Sequence, residues 1–140
     1  MQNLIDFFAT NDHFARHCGI ELLEAAAGRA KACMVIQPYH LNGAKTVHGG
    51  AIFTLADFTF AVAANSSGQL SLAINATTSF LKAARGGTLY AVAEEIAVNR
   101  RLGNYQVRVV NQRDELIALF QGTAYRKDEQ LFNPGQELCS

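Results

Sequence analysis

The chain has 140 residues, 49% of them apolar and 17% charged, and its twelve basic and twelve acidic residues cancel to a formal net charge of zero. That length and composition describe one domain spanning residues 1–140, with a core that buries roughly two-thirds of the unfolded surface, and exclude a chain disordered as a whole. No basic run stands out, which excludes nucleic acid as the main partner.

The first residues, Met1 to Asp6, lack the basic region and long apolar stretch of a signal peptide. Cys18, Cys33 and Cys139 share no metal or redox spacing and read as free thiols of a reducing compartment. A cytoplasmic protein is expected. Residues 4–8 and 12–17 predict two short helices within an N-terminal helical segment of about residues 1–17. Residues 19–25 and 30–37 predict two strands around a turn at Gly28, and Pro38 closes the second. A loop of small and polar residues follows over 38–49. Residues 50–65 predict a helix, stopped by Ser66-Ser67-Gly68. The rest reads as strands over 72–81, 88–98, 105–111 and 116–125. Their turns are at Arg85-Gly86-Gly87, Arg101-Leu102-Gly103-Asn104 and Asn111-Gln112-Arg113-Asp114. The tail over 127–140 is polar and is expected to fray.

The helix over 50–65 is apolar nearly all the way round, as in a buried helix. It is too short, and too interrupted by Asp and Thr, to span a membrane. Asp57 sits in its middle, where a buried carboxylate is costly unless paired or used. Asp57 could bond a backbone group or the Thr54 hydroxyl, or it could act as a base or nucleophile. His48-Gly49-Gly50 leads into the helix, whose first N–H groups lack intrahelical partners and suit a developing negative oxygen. His48 also reads as a hydrogen-bonding loop residue, and Asn42-Gly43 as a turn. His13 and His17 share a helical spacing without a third ligand, so no metal is expected. Lys82, Arg85, Arg100 and Arg101 lie in or beside turns, either solvated or facing phosphates. Phe53, Phe58 and Phe60 could line an aryl pocket or fill the core.

The order of two strands, one apolar helix and four strands fits an antiparallel sheet wrapped around a single helix, an α+β arrangement. Asn42-Gly43, Val47-His48-Gly49-Gly50, Leu55-Ala56-Asp57, Ser79-Phe80-Leu81, Gly87 and Leu89 together resemble the hotdog-fold acyl-CoA thioesterases, most of all the phenylacetate-degradation (PaaI-like) branch. The resemblance covers about residues 18–126. It implies a hydrolase that cleaves an acyl- or aryl-acyl-CoA thioester without metal or redox cofactor. In it Asp57 attacks the carbonyl or activates water, the Gly49 N–H polarises the carbonyl, His48 orients the thioester and Asn42 holds water or substrate. Gly50, Thr77 and Phe80 are expected to contact substrate, with Lys82, Arg85, Arg100 and Arg101 toward the nucleotide. Asn99 stands where the family tends to have glycine before its basic residue, and Ala83 where proline is common. An acyl-thioester dehydratase or hydratase, or a non-catalytic acyl-CoA-binding protein, remains open on the same fold.

Gly49 and Asp57 are eight residues apart on one helix, about 12 Å along its axis. One thioester cannot touch both within a chain, since reacting atoms must come within about 3.5 Å. If both act, Asp57 comes from a second copy. A homodimer with two shared sites is expected. The resemblance extends this to dimers or dimers of dimers.

Overall fold

The computed structural model describes residues 1–131. Helices α1 (Gln2–Asn11) and α2 (His13–His17) precede the sheet, with Asp12 between them accepting the Ala15 N–H at 3.1 Å as the cap of α2. Strands β1 (Ile20–Ala26) and β2 (Arg29–Val35) lead through a 3₁₀ turn at Pro38–His40 to helix α3 (Gly49–Ala64). Then come β3 (Gln69–Phe80), β4 (Thr88–Val98), β5 (Leu102–Val110) and β6 (Leu116–Gln130). All neighbours are antiparallel, in the order β1-β2-β4-β5-β6-β3, so β1 and β3 are the edges. α3 lies against the concave face of this sheet, and the fold is a hotdog fold.

The strands alternate as a one-sided sheet should. Ala30, Ala32 and Met34 on β2, Leu89, Ala91 and Ala93 on β4, and Val107 and Val109 on β5 are buried against the helix. The run of alanines lets α3 lie close. α3 answers with Ile52, Leu55, Ala56, Phe60, Val62 and Ala63, and with Thr59, whose buried hydroxyl donates to the Leu55 carbonyl at 2.7 Å. Phe60 packs between Phe120 and Tyr105, at centroid distances of 5.5 and 5.6 Å. α1 adds Leu4 and Phe8, the latter edge-on to Phe58 at 5.9 Å.

Three expectations are corrected. The helix is not buried all round: Gly50, Thr54, Asp57 and Ala61, spaced by three or four, form a stripe that the sheet of the same chain leaves open. The turn expected over 101–104 lies earlier, because the Asn99 side chain accepts the N–H groups of Arg101 and Leu102 at 3.0 and 2.8 Å. Leu102 can then start β5, and Gly103 is a strand residue where a Cβ would lie 2.8 Å from the Tyr105 ring. Finally, β6 runs past 125 to Gln130, because β3 pairs with it along its whole length, from Phe80↔Ala118 to Gln69↔Gln130. Of the tail expected to fray, residues 127–130 are strand, and 132–140, with Cys139, lie outside the described residues.

Candidate active site

The loop before α3 is built around a buried histidine. His40 Nδ1 accepts the Gln37 N–H at 2.9 Å, so its Nε2 carries the proton and donates to the Cys18 carbonyl at 2.7 Å. The His40 carbonyl accepts the His48 N–H at 2.7 Å, and Val47 N–H donates to Ala84 at 2.8 Å. Asn42 Oδ1 accepts the N–H groups of Ala44 and Thr46 at 2.9 and 3.1 Å, while its Nδ2 donates to the Thr46 hydroxyl at 2.9 Å. Both polar atoms of the Asn42 side chain thus serve the turn, which is the local role its pairing with Gly43 suggests.

His48 caps α3. Its Nδ1 accepts the Gly50 N–H at 2.8 Å, which leaves the proton of the neutral ring on Nε2, as a donor. The two glycines have separate steric reasons. A Cβ on Gly50 would stand 3.0 Å from His48 Nδ1, and one on Gly49 would stand 3.2 Å from the Phe80 ring. Ala51 and Ile52 N–H groups are satisfied by the His48 carbonyl at 2.9 and 3.2 Å. The Gly49 N–H has no hydrogen-bond partner among the described residues, and it carries the positive end of the helix dipole.

Asp57 lies half-buried on the open stripe, two turns further on. Its carboxylate has no hydrogen bond or ion pair among the described residues. Thr54, the neighbour it could have bonded, donates instead to the Gly50 carbonyl at 2.7 Å. Burial pushes the Asp57 carboxyl above its ordinary value, and the negative charge of Asp12 adds to the effect.

Two hollows flank the first turns of α3. The larger, about 650 Å³, is walled by Phe14, His17, Cys18, Tyr39, Leu41, Ala51 and Thr54, with His48 and Gly50. The smaller, about 380 Å³, lies on the other side, between Thr46, Gly49, Ile52, Phe80, Leu81 and Lys82. His48, Gly49, Gly50, Phe80 and Lys82 are therefore neighbours, as the sequence suggested. Thr77 is not among them. Thr78 stands opposite the inward-facing Phe120, so Thr77, opposite Gln121, projects from the far side of the sheet. Among the described residues no three His, Cys, Asp or Glu side chains are grouped to hold a metal ion.

The four cations divide into two groups. Lys82 and Arg85 precede β4, and Arg100 and Arg101 follow it; the length of β4 separates them by about 30 Å. One nucleotide cannot reach both groups within a chain. Lys82 is ion-paired with Glu115, holding that carboxyl below its usual range together with Asn111. Arg101 makes a two-pronged contact with Asp128 at 2.9 and 3.2 Å. Arg85 and Arg100 have no ion pair among the described residues.

Sequence reading missed Asp12, Phe14, Tyr39 and Leu41. The sequence marks residues 12–17 as a short helix, but no local spacing reveals that α2 folds back over residues 48–54.

A concave antiparallel sheet around one helix, with His-Gly-Gly at the helix start and an unpaired aspartate along it, defines a hotdog thioester hydrolase. The Thioesterase superfamily matches residues 44–118, more than half of the chain, and the chain belongs to that superfamily. It is 37% identical over 117 residues to the acyl-coenzyme A thioesterase PaaI of Escherichia coli, covering 83% of this chain and 84% of that protein. The E. coli PaaI structure superposes with a TM-score of 0.87 at 32% identity, covering 92% of this chain and 96% of the other. An asparagine-to-aspartate mutant of the phenylacetic acid degradation protein PaaI from Thermus thermophilus superposes with a TM-score of 0.78 at 33% identity, over 81% and 98% of the two chains. No described helix is long and apolar enough to cross a membrane.

Proposed function

We propose that the chain hydrolyses acyl- or aryl-acyl-CoA thioesters to the free acid and coenzyme A, in the manner its likeness to PaaI suggests. The observation that carries this is the pairing of an unsatisfied Gly49 N–H at a helix start with an unpartnered, half-buried Asp57 on the stripe the sheet leaves open. The Gly49 N–H donates to the thioester carbonyl and stabilises the oxygen as it becomes negative. Asp57 supplies the nucleophile, or takes the proton of the water that attacks. His48 Nε2–H is a second donor aimed at the substrate. No metal or redox cofactor has a part in these steps.

Because the two groups lie about 12 Å apart on α3, each site draws Gly49 from one copy and Asp57 from another. Two surfaces support the pairing. The open stripe of α3 needs a cover, and β3 is an edge strand with Leu72, Ile74 and Phe80 exposed. Such an edge invites a second strand. A two-fold dimer provides two such sites, and dimers of dimers build on it. It also brings the Arg100 end of one chain toward the Lys82 end of the other, which gives one nucleotide access to both cation groups. The test is release of free thiol from phenylacetyl-, benzoyl- and straight-chain acyl-CoA, beside hydration of crotonyl-CoA. Thiol release with no hydration is expected. Hydration without thiol release, or binding without turnover, would replace the reading by a hydratase or a binding protein.

A further inference from the structure

The proposed mechanism gives no part to His40, the buried histidine ahead of α3. We infer that His40 is a positioning residue, whose imidazole ties the loop before α3 to the end of α2 and so fixes the Gly49 N–H and the His48 ring against the thioester; this rests on the proposed thioester hydrolysis.

Residues 40–48 form a small hairpin. The His48 N–H donates to the His40 carbonyl at 2.7 Å, and the Asn42 N–H donates to the Thr46 carbonyl at 2.8 Å. Leu41 and Val47 form an antiparallel bridge between these two bonds. His40 and His48 therefore face each other across the open end, and the Gly49 N–H follows directly on His48. Each leg has its own anchor to the rest of the chain. The second leg is held by Val47, whose N–H donates to the Ala84 carbonyl at 2.8 Å. The first is held by the His40 ring, whose Nε2 donates at 2.7 Å to the carbonyl of Cys18, 22 residues earlier at the end of α2. The ring is also fixed at Nδ1, which accepts the Gln37 N–H at 2.9 Å and closes the 3₁₀ turn.

His40 is 3% exposed, so water does not replace either bond if the ring turns. A buried polar side chain satisfied at both ends selects one arrangement of the loop, where apolar packing would admit several. That selection matters at the start of α3. An oxyanion donor works at about 2.7–3.1 Å from the oxygen that becomes negative. A displacement of about 1 Å can cost about a hundredfold in rate.

The experiment uses three variants that divide the two ring bonds. His40→Gln keeps a donor long enough to reach the Cys18 carbonyl, His40→Asn keeps an acceptor for the Gln37 N–H but is too short for Cys18, and His40→Met fills the space with neither. The readouts are kcat and KM for one acyl-CoA, per folded molecule, with circular dichroism, denaturant titration and sedimentation. His40→Asn and His40→Met should lower kcat by about tenfold or more, with KM within about twofold of wild type, because the groups displaced act on the transition state. His40→Gln should recover most of the loss. Unchanged kcat per folded molecule in His40→Met overturns the inference, even if stability falls, since that is the mark of a purely structural residue. A rise in KM that matches the loss also overturns it, and so does a His40→Gln variant no better than His40→Asn. If His40→Asn and His40→Met both fail to fold, His40 holds the fold rather than the loop, and the inference is wrong. Absence of thioester hydrolysis in the wild-type protein would instead sink the underlying reading, and would show before any variant is made.

Discussion

The two faces of α3 are made of similar residues and do opposite things. The face toward the sheet carries Leu55, Ala56, Thr59 and Phe60, fully enclosed, and its one hydroxyl is satisfied within the helix. The other carries Gly50, Thr54, Asp57 and Ala61, left open by their own chain. Asp57 and Leu55 are two residues apart and point away from each other. The packed face is closed by the sheet and accounts for folding. The open stripe is unfinished in one chain, and it holds the one carboxylate of the helix. Chemistry and association are expected where packing is incomplete.

The sharpest way to break this comparison is a pair of substitutions on opposite faces. Asp57→Asn should cut turnover by at least about a hundredfold, the lower range for removing a positioned base, with far-ultraviolet circular dichroism unchanged. Leu55→Ala should do the reverse. It should lose about 2–5 kcal/mol of stability by denaturant titration, while the molecules still folded remain active. Near wild-type turnover in Asp57→Asn would remove Asp57 from the mechanism.

A second experiment asks whether the open stripe is completed by another copy. Gly49→Pro removes the N–H at the first helical position, where the backbone accepts proline; its ring must push back the Phe80 ring that a Cβ would meet at 3.2 Å, so circular dichroism and sedimentation accompany the assay. Asp57→Ala removes the carboxylate. Each alone should be inactive. Refolded together, they should recover about a quarter of wild-type activity, since random pairing makes half the dimers mixed and each mixed dimer has one intact site. Verified mixed dimers without activity would place both groups in the same chain.

Smaller effects should come from the cations. Arg100→Ala should raise KM for acyl-CoA by about threefold, and leave KM for a short acyl thioester without a nucleotide little changed. Arg85→Ala should do the same, and Arg101→Ala less, because Asp128 already engages Arg101. Equal effects on both substrates would make these residues structural.

The smallest effect is on pH-dependent stability. The folded Asp57 carboxyl is raised by burial and by Asp12. Below about pH 3.9 both folded and unfolded states are protonated and nothing is lost. As pH climbs through the raised folded value, ionisation in the folded state costs stability, and the full cost is present at neutral pH. Asp57→Asn should therefore raise Tm at pH 7 and leave it unchanged at a pH well below the ordinary aspartate value. The same shift should put the acid limb of the wild-type kcat/KM profile above the ordinary aspartate range.

Much of the architecture was legible because its signals are local. The turn at Arg85-Gly86-Gly87 marked the start of β4, the turn at Asn111-Gln112-Arg113-Asp114 marked the end of β5, and Ser66-Ser67-Gly68 marked the end of α3. The Gly-Gly step at its start was legible too, and the structure supplies a steric reason for each glycine. Other features depend on partners far along the chain. Nothing in the sequence around Lys127 says that its strand continues, because the reason is β3, some sixty residues earlier. Thr77 was expected beside substrate with Phe80, but an odd number of steps along β3 puts the two on opposite faces of the sheet. Lys82, Arg85, Arg100 and Arg101 look alike in sequence; only the sheet separates them by the length of β4 and gives two of them acidic partners. Phe14 and Tyr39 meet at one cavity because α2 and the 3₁₀ turn fold together, which no periodicity announces.

The pairing of β3 with the far end of β6 also sets an order of events during synthesis. β3 leaves the ribosome as residues 69–80, but its hydrogen-bonding neighbour is not complete until Gln130, and Leu131 N–H closes onto the Gly68 carbonyl at 2.6 Å. Until then β3 waits without a partner, some fifty residues ahead of the strand that joins it to the sheet. Contacts so distant in sequence form late and slowly. Chains released before β6 is finished would carry a long unpaired apolar strand, the form most prone to aggregate. The residues between Tyr125 and Leu131, remote from the catalytic end of α3, therefore govern how much of the protein reaches its folded state.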